Sequence, residues 1–376
     1  MGSRARKSAA AAVGLALLAL GAVAQPAWAH KGHQQPHHNL RGQVLTTAVA
    51  APFGLAVSGK KVYVADGMAG TVTTTSGKTI VSKPGYDVAG VDVSARNKSL
   101  AYTFTNGDHT EAGLTITARG KADVVADIAG YEAANNPDGA STYGIVGGSN
   151  ACAEEILGGL TGGAATYPGI IDAHPYAVAN VGSSWLVADA GANAIFSVSR
   201  AGKVSTYAVL PPQVVKITAA MATGLEESFG APAGSFSCLA GVSYAFEPVP
   251  TDVEVDRKGT AYVTVLPGGP EDDSLGARGA VYRIGRSGQA TKVASGFLGA
   301  TDLALGSDGT IYVTELYNGR VAAVKGKKVT TVVKIDSPLA VEVSGRKLYV
   351  STMGEIDFST GEVLSPGSVV KFTLRR

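Results

Sequence analysis

The sequence is poor in charge, in cysteine and in long apolar runs. It has 32 Lys and Arg against 30 Asp and Glu in 376 residues, so no basic excess points to nucleic acid as a partner. Its main apolar run, residues 9–24, is shorter than a membrane-spanning helix requires. The G-x-S-x-G, H-E-x-x-H and P-loop patterns are also missing, which removes the usual sequence evidence for the enzyme classes that use them.

The N-terminus has the parts of a secretory signal peptide. Arg4, Arg6 and Lys7 give a positive start, the apolar run follows, and Ala27-x-Ala29 offers a cleavage site. No cysteine follows that site, so a lipid anchor is not expected. We expect removal of residues 1–29 to leave a secreted, extracellular chain that begins at His30, with 29 Lys and Arg against 30 Asp and Glu.

One pattern occurs six times: a short apolar strand, a polar turn, and a strand with an aromatic or apolar centre. The six copies are PFGLAVSGKKVYVAD, AGVDVSARNKSLAYTFT, PYAVANVGSSWLVAD, PTDVEVDRKGTAYVTV, ATDLALGSDGTIYVTE and PLAVEVSGRKLYVST. After most copies two more strands follow. Four short strands per repeat predict an all-β, six-bladed β-propeller over residues 41–376, with strands A to D in each blade.

The sixth copy has strands A, B and C, and then the sequence ends. The opening stretch GQVLTTAVA resembles the D strands KVTTVVKID and KVSTYAVLP. We therefore predict that it pairs with strand C of the last blade, near Val369–Thr373, and closes the ring. Closure removes the exposed strand edges that would otherwise invite aggregation.

Two long connections, residues 130–173 and 211–249, join strand D of one blade to strand A of the next. In a propeller, D–A and B–C connections share one face, here the upper face, and A–B and C–D turns share the lower face. Connections this long usually serve a function, so we expect recognition on the upper face. Cys152 lies in one insertion and Cys238 in the other, and in an oxidising compartment we expect them to form a disulfide.

Charge is predicted to differ between the two faces. The insertions and the B–C loop 267–278 carry only Lys216 and Arg278 as basic residues. Their acidic residues are Glu132, Asp138, Glu154, Glu155, Asp172, Glu226, Glu227, Glu247, Glu271, Asp272 and Asp273. Basic residues recur in lower turns such as SGKK, DRKG and KGKK. The acidic upper face suits a cation, a small molecule or a basic protein, and the basic lower face suits an anionic cell envelope.

Two places could hold a divalent metal. The predicted flexible tail over residues 30–40 is rich in histidines that could bind copper, nickel or zinc: His30, His33, His37 and His38. Asp252 and Asp302 occupy the same position at the start of strand A, where a cation could sit between them at the axial mouth.

Other candidate residues lie at strand ends. His174 is the only histidine at an upper strand-A entrance and could act as a catalytic base or a ligand. Asp66, Asp189 and Glu315 end B strands, where we expect them to cap turns by accepting backbone N–H groups.

The stretches HPYAVANVGSSWLVADAGANAIFSVSRAGKVSTYAVLPP, PTDVEVDRKGTAYVTV and ATDLALGSDGTIYVTEL resemble the ScyD/ScyE family of secreted bacterial proteins. That family is similar to NHL-type and TolB-like six-bladed propellers. The resemblance covers most of the mature chain and is strongest over residues 172–324. The matching residues mostly form blades, so they imply the fold and an extracellular location and say little about chemistry. Propellers of the gluconolactonase class bind a central metal through Glu, Asn and Asp, whereas here only Asp252 and Asp302 stand at matching entrances.

We therefore expect a secreted, monomeric propeller that acts as a binding or scaffold protein through its upper face. The alternative is a metal-dependent, lactonase-like hydrolase or lyase at the axial mouth, with Asp252, Asp302 and His174 as its residues. We expect neither a nucleic-acid partner nor a membrane span.

Overall fold

The computed structural model describes residues 40–375 apart from 95, 97, 149, 358 and 359. The signal-peptide prediction and the four candidate metal-binding histidines of the tail lie outside the described residues. Within the described ranges, no helix is long and apolar enough to cross a membrane.

The chain begins with a lone strand and two sheets. Strand β1 is Gln43–Thr46. The first sheet consists of β2 (Pro52–Ser58), β3 (Lys61–Asp66), β4 (Thr71–Thr74) and β5 (Thr79–Ser82). The second sheet consists of β6 (Tyr86–Asp87), β7 (Val91–Ser94), β8 (Ser99–Asn106), β9 (Ala112–Ala118) and β10 (Val124–Asp127).

Two insertions flank the third sheet. The first insertion contains α1 (Ile128–Asn135), β11 (Thr142–Val146), α2 (Ala151–Leu160) and β12 (Thr166–Pro168). The third sheet consists of β13 (Pro175–Val181), β14 (Ser184–Asp189), β15 (Ala194–Ser199) and β16 (Val204–Val209). The second insertion contains β17 (Gln213–Lys216), α3 (Ala219–Ser228) and β18 (Ser243–Phe246).

Three more sheets follow. The fourth consists of β19 (Pro250–Val255), β20 (Ala261–Val265), β21 (Gly279–Ile284) and β22 (Ala290–Phe297). The fifth consists of β23 (Ala300–Leu305), β24 (Ile311–Glu315), β25 (Arg320–Lys325) and β26 (Lys328–Lys334). The last segment contains β27 (Pro338–Ser344), β28 (Lys347–Thr352), the hairpin β29 (Glu355–Asp357) and β30 (Glu362–Ser365), and β31 (Ser368–Thr373).

The first strand completes the last sheet. β1 pairs antiparallel with β31 through Gln43↔Lys371 and Thr46↔Val369, and the strand order of the sixth sheet is β1-β31-β28-β27. Leu45 packs against a buried cluster that includes Leu55 of the first sheet. The predicted pairing of the opening stretch is therefore confirmed.

The strands are apolar on both faces because each sheet packs against its neighbours. Trp185 of β14 packs with Leu114 of the second sheet in one buried cluster, and Leu186 packs with Val263 of the fourth sheet in another. Turns supply the polar residues between these strands. In the two-residue turn after β2, Gly59 has a φ of +62°, a conformation that glycine adopts without the steric cost of a Cβ.

The first long strand of each sheet is called its inner strand. The inner strands β2, β7, β13, β19, β23 and β27 contact one another in that order, and β27 contacts β2 again. Their approach is close: a Cβ added to Gly54 would lie 2.5 Å from the carbonyl oxygen of Ala89 in the adjoining segment. Side chains larger than hydrogen are therefore excluded at that position.

The two insertions are not irregular loops. They contain strands and helices that fold together into one layer. Their strands form a seventh sheet in the order β12-β11-β18-β17. α2 and α3 cover a hydrophobic core of this layer that includes Leu157, Leu225 and Leu239. We call the sheet, α2 and α3 the insertion layer.

The predicted disulfide is confirmed. Cys152 and Cys238 are bonded, with their Cα atoms 6.3 Å apart. The side chain of Asn150, which caps the start of α2, also donates to the carbonyl oxygen of Cys238. Covalent and polar contacts thus join the two insertions at the same point.

Candidate functional site

Buried polar atoms without a hydrogen-bond partner collect where the first insertion meets the second and third sheets. Twelve such side-chain atoms occur among the described residues, and seven of them lie in this region. The seven are Asp87 Oδ1, Glu132 Oε2, Asn136 Oδ1, Asp138 Oδ1, Asp172 Oδ2, His174 Nδ1 and Asp189 Oδ2. We call Asp87, Glu132, Asp138, Asp172, Asp189 and the neighbouring His109 and His174 the junction cluster.

Like Asp87, described below, four carboxylates of the cluster have one oxygen bound and the other buried without a partner. Glu132 Oε1 accepts from the backbone N–H of Asp172 at 2.8 Å. Asp189 Oδ1 accepts from the backbone N–H groups of His174, at 2.8 Å, and of Ala192, at 3.0 Å. These bonds attach helix α1 and the end of β14 to the segment that enters the third sheet.

The other two carboxylates are held by side chains. Asp138 Oδ2 accepts from the Tyr143 hydroxyl at 2.8 Å and from Asn193 Nδ2 at 3.0 Å. Asp172 Oδ1 lies 2.6 Å from His109 Nδ1. Each carboxylate is thus fixed in orientation while it keeps one unsatisfied acceptor.

Two histidines lie side by side in the cluster, each paired with an aspartate. His174 Nε2 is 3.0 Å from Asp87 Oδ2, and the ring centroids of His174 and His109 are 4.7 Å apart. Burial alone would lower the pKa of His174, but the hydrogen bond and charge of Asp87, with the charges of Asp189 and Asp172, outweigh it and raise the pKa. The His174 side chain is 9% exposed and that of His109 is 26% exposed.

Burial and mutual repulsion favour protonated carboxyl groups in this region. Burial, followed by the charge of Asp189, raises the pKa of Glu132 to about 9. Burial also raises the pKa of Asp189 to about 6 and that of the nearby Glu247 to about 7. Burial and the neighbouring negative charges thus favour the protonated, neutral form of these carboxyl groups.

The described residues do not form a metal centre. No three histidine, cysteine or acidic side chains in the described ranges are arranged to hold a metal ion. The junction cluster does contain two histidine–aspartate pairs, His109 with Asp172 and His174 with Asp87, and a pair of this kind can exchange a proton.

Asp252 and Asp302 link neighbouring inner strands. Asp252 Oδ2 accepts from the backbone N–H of Leu303 at 3.0 Å, and Asp302 Oδ1 accepts from that of Val341 at 3.2 Å. Burial raises the pKa of Asp252 to about 7 and that of Asp302 well above its usual value. In this structure both residues hydrogen-bond the inner strand of the next sheet. The metal site predicted for them stays a prediction.

His174 and Asp302, both named for the alternative enzyme, have different hydrogen-bond partners. His174 pairs with Asp87, and its ring centroid is 5.9 Å from that of Tyr176. Tyr176 is buried in an apolar cluster with Phe53, Leu316 and Leu339, contributed by different sheets. Apolar side chains thus fill the region where the inner strands of these sheets begin.

The turn-capping prediction is confirmed for Asp66 and Asp189, whereas Glu315 accepts from a backbone N–H of another connection and from side chains. Asp66 accepts from the backbone N–H groups of Ala50, Ala51 and Ala69, so it ties its turn to the entrance of β2. Asp189 makes the equivalent bonds in the third sheet, as described above. Glu315 accepts from the N–H of Leu298 and from Arg320, and its side chain is fully buried.

The acidic residues of the insertions divide into two groups. Five of the eleven predicted for the upper face are buried: Glu132, Asp138, Asp172, Glu226 and Glu247. Those on the surface include Glu154 and Glu155 of α2, Glu227 of α3, and Glu271 and Asp273 of the 267–278 loop. The upper connections are acidic as predicted, but about half of the acidic residues counted there are internal.

Basic residues concentrate in the other class of turns. These turns join the first strand of a sheet to the second, or the third strand to the fourth. In the turns and the residues directly adjoining them, the only described acidic residues are Asp123, Asp256 and Asp308. Their nineteen described basic residues, all exposed, are Arg41, Lys60, Lys61, Lys78, Arg96, Lys98, Arg119, Lys121, Arg200, Lys203, Arg257, Lys258, Arg286, Lys325, Lys327, Lys328, Arg346, Lys347 and Arg375. All remaining connections together contain five described basic residues: Lys83, Lys216, Arg278, Arg320 and Lys334.

Sequence reasoning found His174 and missed the rest of the junction cluster as a unit. His109 lies in the polar stretch TNGDHT, which reads as an ordinary turn, and it adopts a positive φ of 58°. Its pairing with Asp172 spans 63 residues, so no local pattern announces it.

Comparison with known proteins gives no family. No protein-family model matches the chain, and no protein of curated function matches it in sequence. Among solved structures, virginiamycin B lyase from Staphylococcus aureus is 14% identical with a TM-score of 0.44, over 90% of this chain and 89% of that chain. A PQQ-bound aldose sugar dehydrogenase from Streptomyces coelicolor is 14% identical with a TM-score of 0.46, over 90% and 99%.

A third similar structure is the nidogen/laminin complex, at 12% identity and a TM-score of 0.44, over 83% of this chain and 91% of that chain. The three similar structures thus include two enzymes and a protein–protein complex. At these identities and scores, the likenesses support no statement about the activity of this chain.

Proposed function

We propose that the protein is a secreted six-bladed β-propeller, closed by its first strand, that binds its ligand through the insertion layer. The cyclic contacts of the inner strands and the β1–β31 pairing support the closed ring. The N-terminal pattern supports secretion, and the ScyD/ScyE resemblance supports both. N-terminal sequencing of protein from the culture medium tests the location, and we expect it to begin at His30.

The observation that carries the binding function is that both insertions fold into one disulfide-linked layer with its own core. A flexible connection would not require a shared sheet, two helices and a covalent bond. The 267–278 loop is fixed to this layer as well, because Gln213 Nε2 donates to the carbonyl oxygen of Arg278 at 2.7 Å and Ser228 donates to Asp272. A rigid surface of this kind binds without a large ordering cost.

The surface chemistry of the layer favours a cationic ligand or a basic protein partner. Glu154, Glu155 and Glu227 are exposed on its two helices, and Phe229, which directly follows α3, is 44% exposed. Carboxylates beside an exposed aromatic ring attract ammonium and guanidinium groups through charge and through the face of the ring. The propeller thus acts as a scaffold for this surface.

A cationic probe tests the proposal. We expect a fluorescent oligolysine peptide to bind the mature protein with an affinity that falls as salt is raised. The variant Glu154→Gln/Glu155→Gln/Glu227→Gln should bind the peptide about tenfold more weakly than the wild-type protein. The matched variant Asp123→Asn/Glu362→Gln, which removes exposed acids outside the layer, should bind normally. Equal losses in both variants would show that the insertion layer is not the binding surface.

A second candidate function is a metal-dependent, lactonase-like hydrolase or lyase. The observation that favours catalysis is the pair of adjacent histidines, each oriented by an aspartate, since a histidine held by an aspartate can act as a general base. The His174 side chain is largely buried, so His109 is the histidine of this pair that a substrate could contact.

Turnover on a panel of lactones, with and without added divalent metal, tests this candidate. The variants His109→Asn and Asp302→Asn separate a reaction at the junction cluster from one at the axial mouth. Absence of turnover by the wild-type protein on every lactone tested, with each metal, would count against it.

A further inference from the structure

We propose that the lower turns of this protein form a docking surface for a flat anionic lipid membrane. The inference rests on the proposed ring, because the ring brings the lower turns of all six sheets to one face. It concerns the face opposite the insertion layer, so it adds a second interaction to the proposed ligand binding.

The first support is the amount and exposure of positive charge. Nineteen exposed basic residues lie in or beside these turns, against three acidic residues. Two of the three acids are engaged locally: Asp256 Oδ1 accepts from the backbone N–H groups of Lys258 and Thr260, and Asp308 binds Lys325 Nζ at 2.7 Å. The basic residues outnumber the acidic ones by sixteen (19 − 3), and this excess sets the sign of the field at these turns.

The second support is how the charges are distributed. Every sheet contributes, from Lys60 and Lys61 in the first to Lys327 and Lys328 in the fifth and Arg346 in the sixth. A flat surface can approach several of these turns at once, whereas a single polymer strand passes only a few. The arrangement therefore fits a plane of anionic head groups better than one linear polyanion.

The third support is the lack of an apolar anchor. None of the large hydrophobic residues that are exposed in the described ranges lies in these turns. Contact would therefore be electrostatic adsorption to head groups without insertion into the hydrocarbon, and it would be reversed by salt.

A groove at this end offers a place for a single head group. It has a volume of about 390 Å³ and is lined by Tyr312, Lys325, Lys328 and Arg375, among others. Ammonium, guanidinium and phenol groups are the donors that a lipid phosphate accepts from.

Sedimentation with vesicles tests the proposal. The mature protein is mixed with vesicles of phosphatidylglycerol and phosphatidylcholine at low and high salt, and with vesicles of phosphatidylcholine alone. We expect binding only to the anionic vesicles, with loss of binding at high salt. Failure of the wild-type protein to bind anionic vesicles at low salt would overturn the proposal.

Matched variants locate the surface. Neutralising four lower charges, in Lys60→Gln/Lys61→Gln/Lys327→Gln/Lys328→Gln, should weaken vesicle binding about a hundredfold or more, since each charge near an anionic membrane contributes roughly fivefold. The control Lys83→Gln/Lys216→Gln/Lys334→Gln removes charges from the other connections and should bind as wild type. Circular dichroism spectra of both variants are compared with that of the wild-type protein to show that folding is retained. An equal loss in the control would refute the assignment to the lower turns.

Two further measurements separate the alternatives. If soluble polyphosphate binds tightly while anionic vesicles do not, the surface recognises a linear polyanion and the membrane proposal is wrong. The insertion-layer variant Glu154→Gln/Glu155→Gln/Glu227→Gln should bind vesicles normally. Failure of oligolysine binding and failure of vesicle binding are therefore independent results.

Discussion

Removal of the disulfide should lower the free energy of unfolding of the whole protein, and the effect should not be confined to the two residues it joins. The bond between Cys152 and Cys238 spans 86 residues and encloses the whole third sheet. On the chain-entropy model, closing a loop of that length lowers the conformational entropy of the unfolded state, which stabilises the folded state by about 4–5 kcal/mol at 25 °C. We therefore expect the variant Cys152→Ala/Cys238→Ala to unfold with a free energy lower by about that amount.

Guanidinium unfolding followed by tryptophan fluorescence measures this effect. Trp185 is the one tryptophan in the described residues, it is buried, and it lies inside the loop that the disulfide closes. Wild-type protein treated with reductant should unfold at the midpoint of the double variant, and the variant should not respond to reductant. An unchanged midpoint and slope in the double variant would refute the entropic reasoning.

Three other perturbations should have measurable effects. Deleting residues 40–50 removes β1 and leaves β31 as an open edge, so the truncated protein should lose its cooperative thermal transition or aggregate; a soluble, cooperatively folded product would contradict the ring. Because the pKa of Glu132 is raised from 4.5 to about 9, its proton stabilises the folded state fully at acidic pH, and this contribution is lost as the pH rises toward about 9. Urea titrations should therefore show Glu132→Gln to be more stable than wild type near pH 9, by more than about 1 kcal/mol, and little different near pH 5. Gly54→Ala should cost about 1–3 kcal/mol in the same assay because its Cβ would meet the Ala89 carbonyl, whereas Gly107→Ala, with no atom near its Cβ, should be close to neutral.

The repeated strands were predictable because their pattern is local. The stretch PFGLAVSGKKVYVAD carries both strands and the turn between them, and the structure has them as Pro52–Ser58 and Lys61–Asp66. The distant pairing of β1 was predictable for a different reason: the last repeat lacked one strand, and only one unassigned segment matched it. Gln43 does pair with Lys371 in the predicted region.

The insertion layer was not predictable in this way. Its strands are short and occur once each, and Ile145 of β11 pairs with Tyr244 of β18 about a hundred residues later. No repeat or periodic pattern links segments that far apart. The disulfide was the one sequence signal that the two insertions meet, because a cysteine pair in an oxidising compartment implies proximity.

The candidate site shows a second limit of sequence reasoning. Counting charge treats each carboxylate as exposed, yet Glu132 is fully buried and Glu155 is on the surface. Only the surrounding structure decides between them, and it also changes their chemistry by raising the pKa of the buried one. The upper connections therefore contain both an acidic surface and a set of buried carboxyl groups.

The pairing of the first strand with the last has a consequence for the order in which the chain folds during synthesis. β1 emerges before the other described strands, but its partner β31 is made more than 320 residues later. The first five sheets can each form from their own hairpins as they emerge, since those contacts are local, whereas the insertion layer must wait for β18. The sixth sheet waits longest, because β1 stays unpaired until β31 has been made, and until then β1 carries an unsatisfied strand edge.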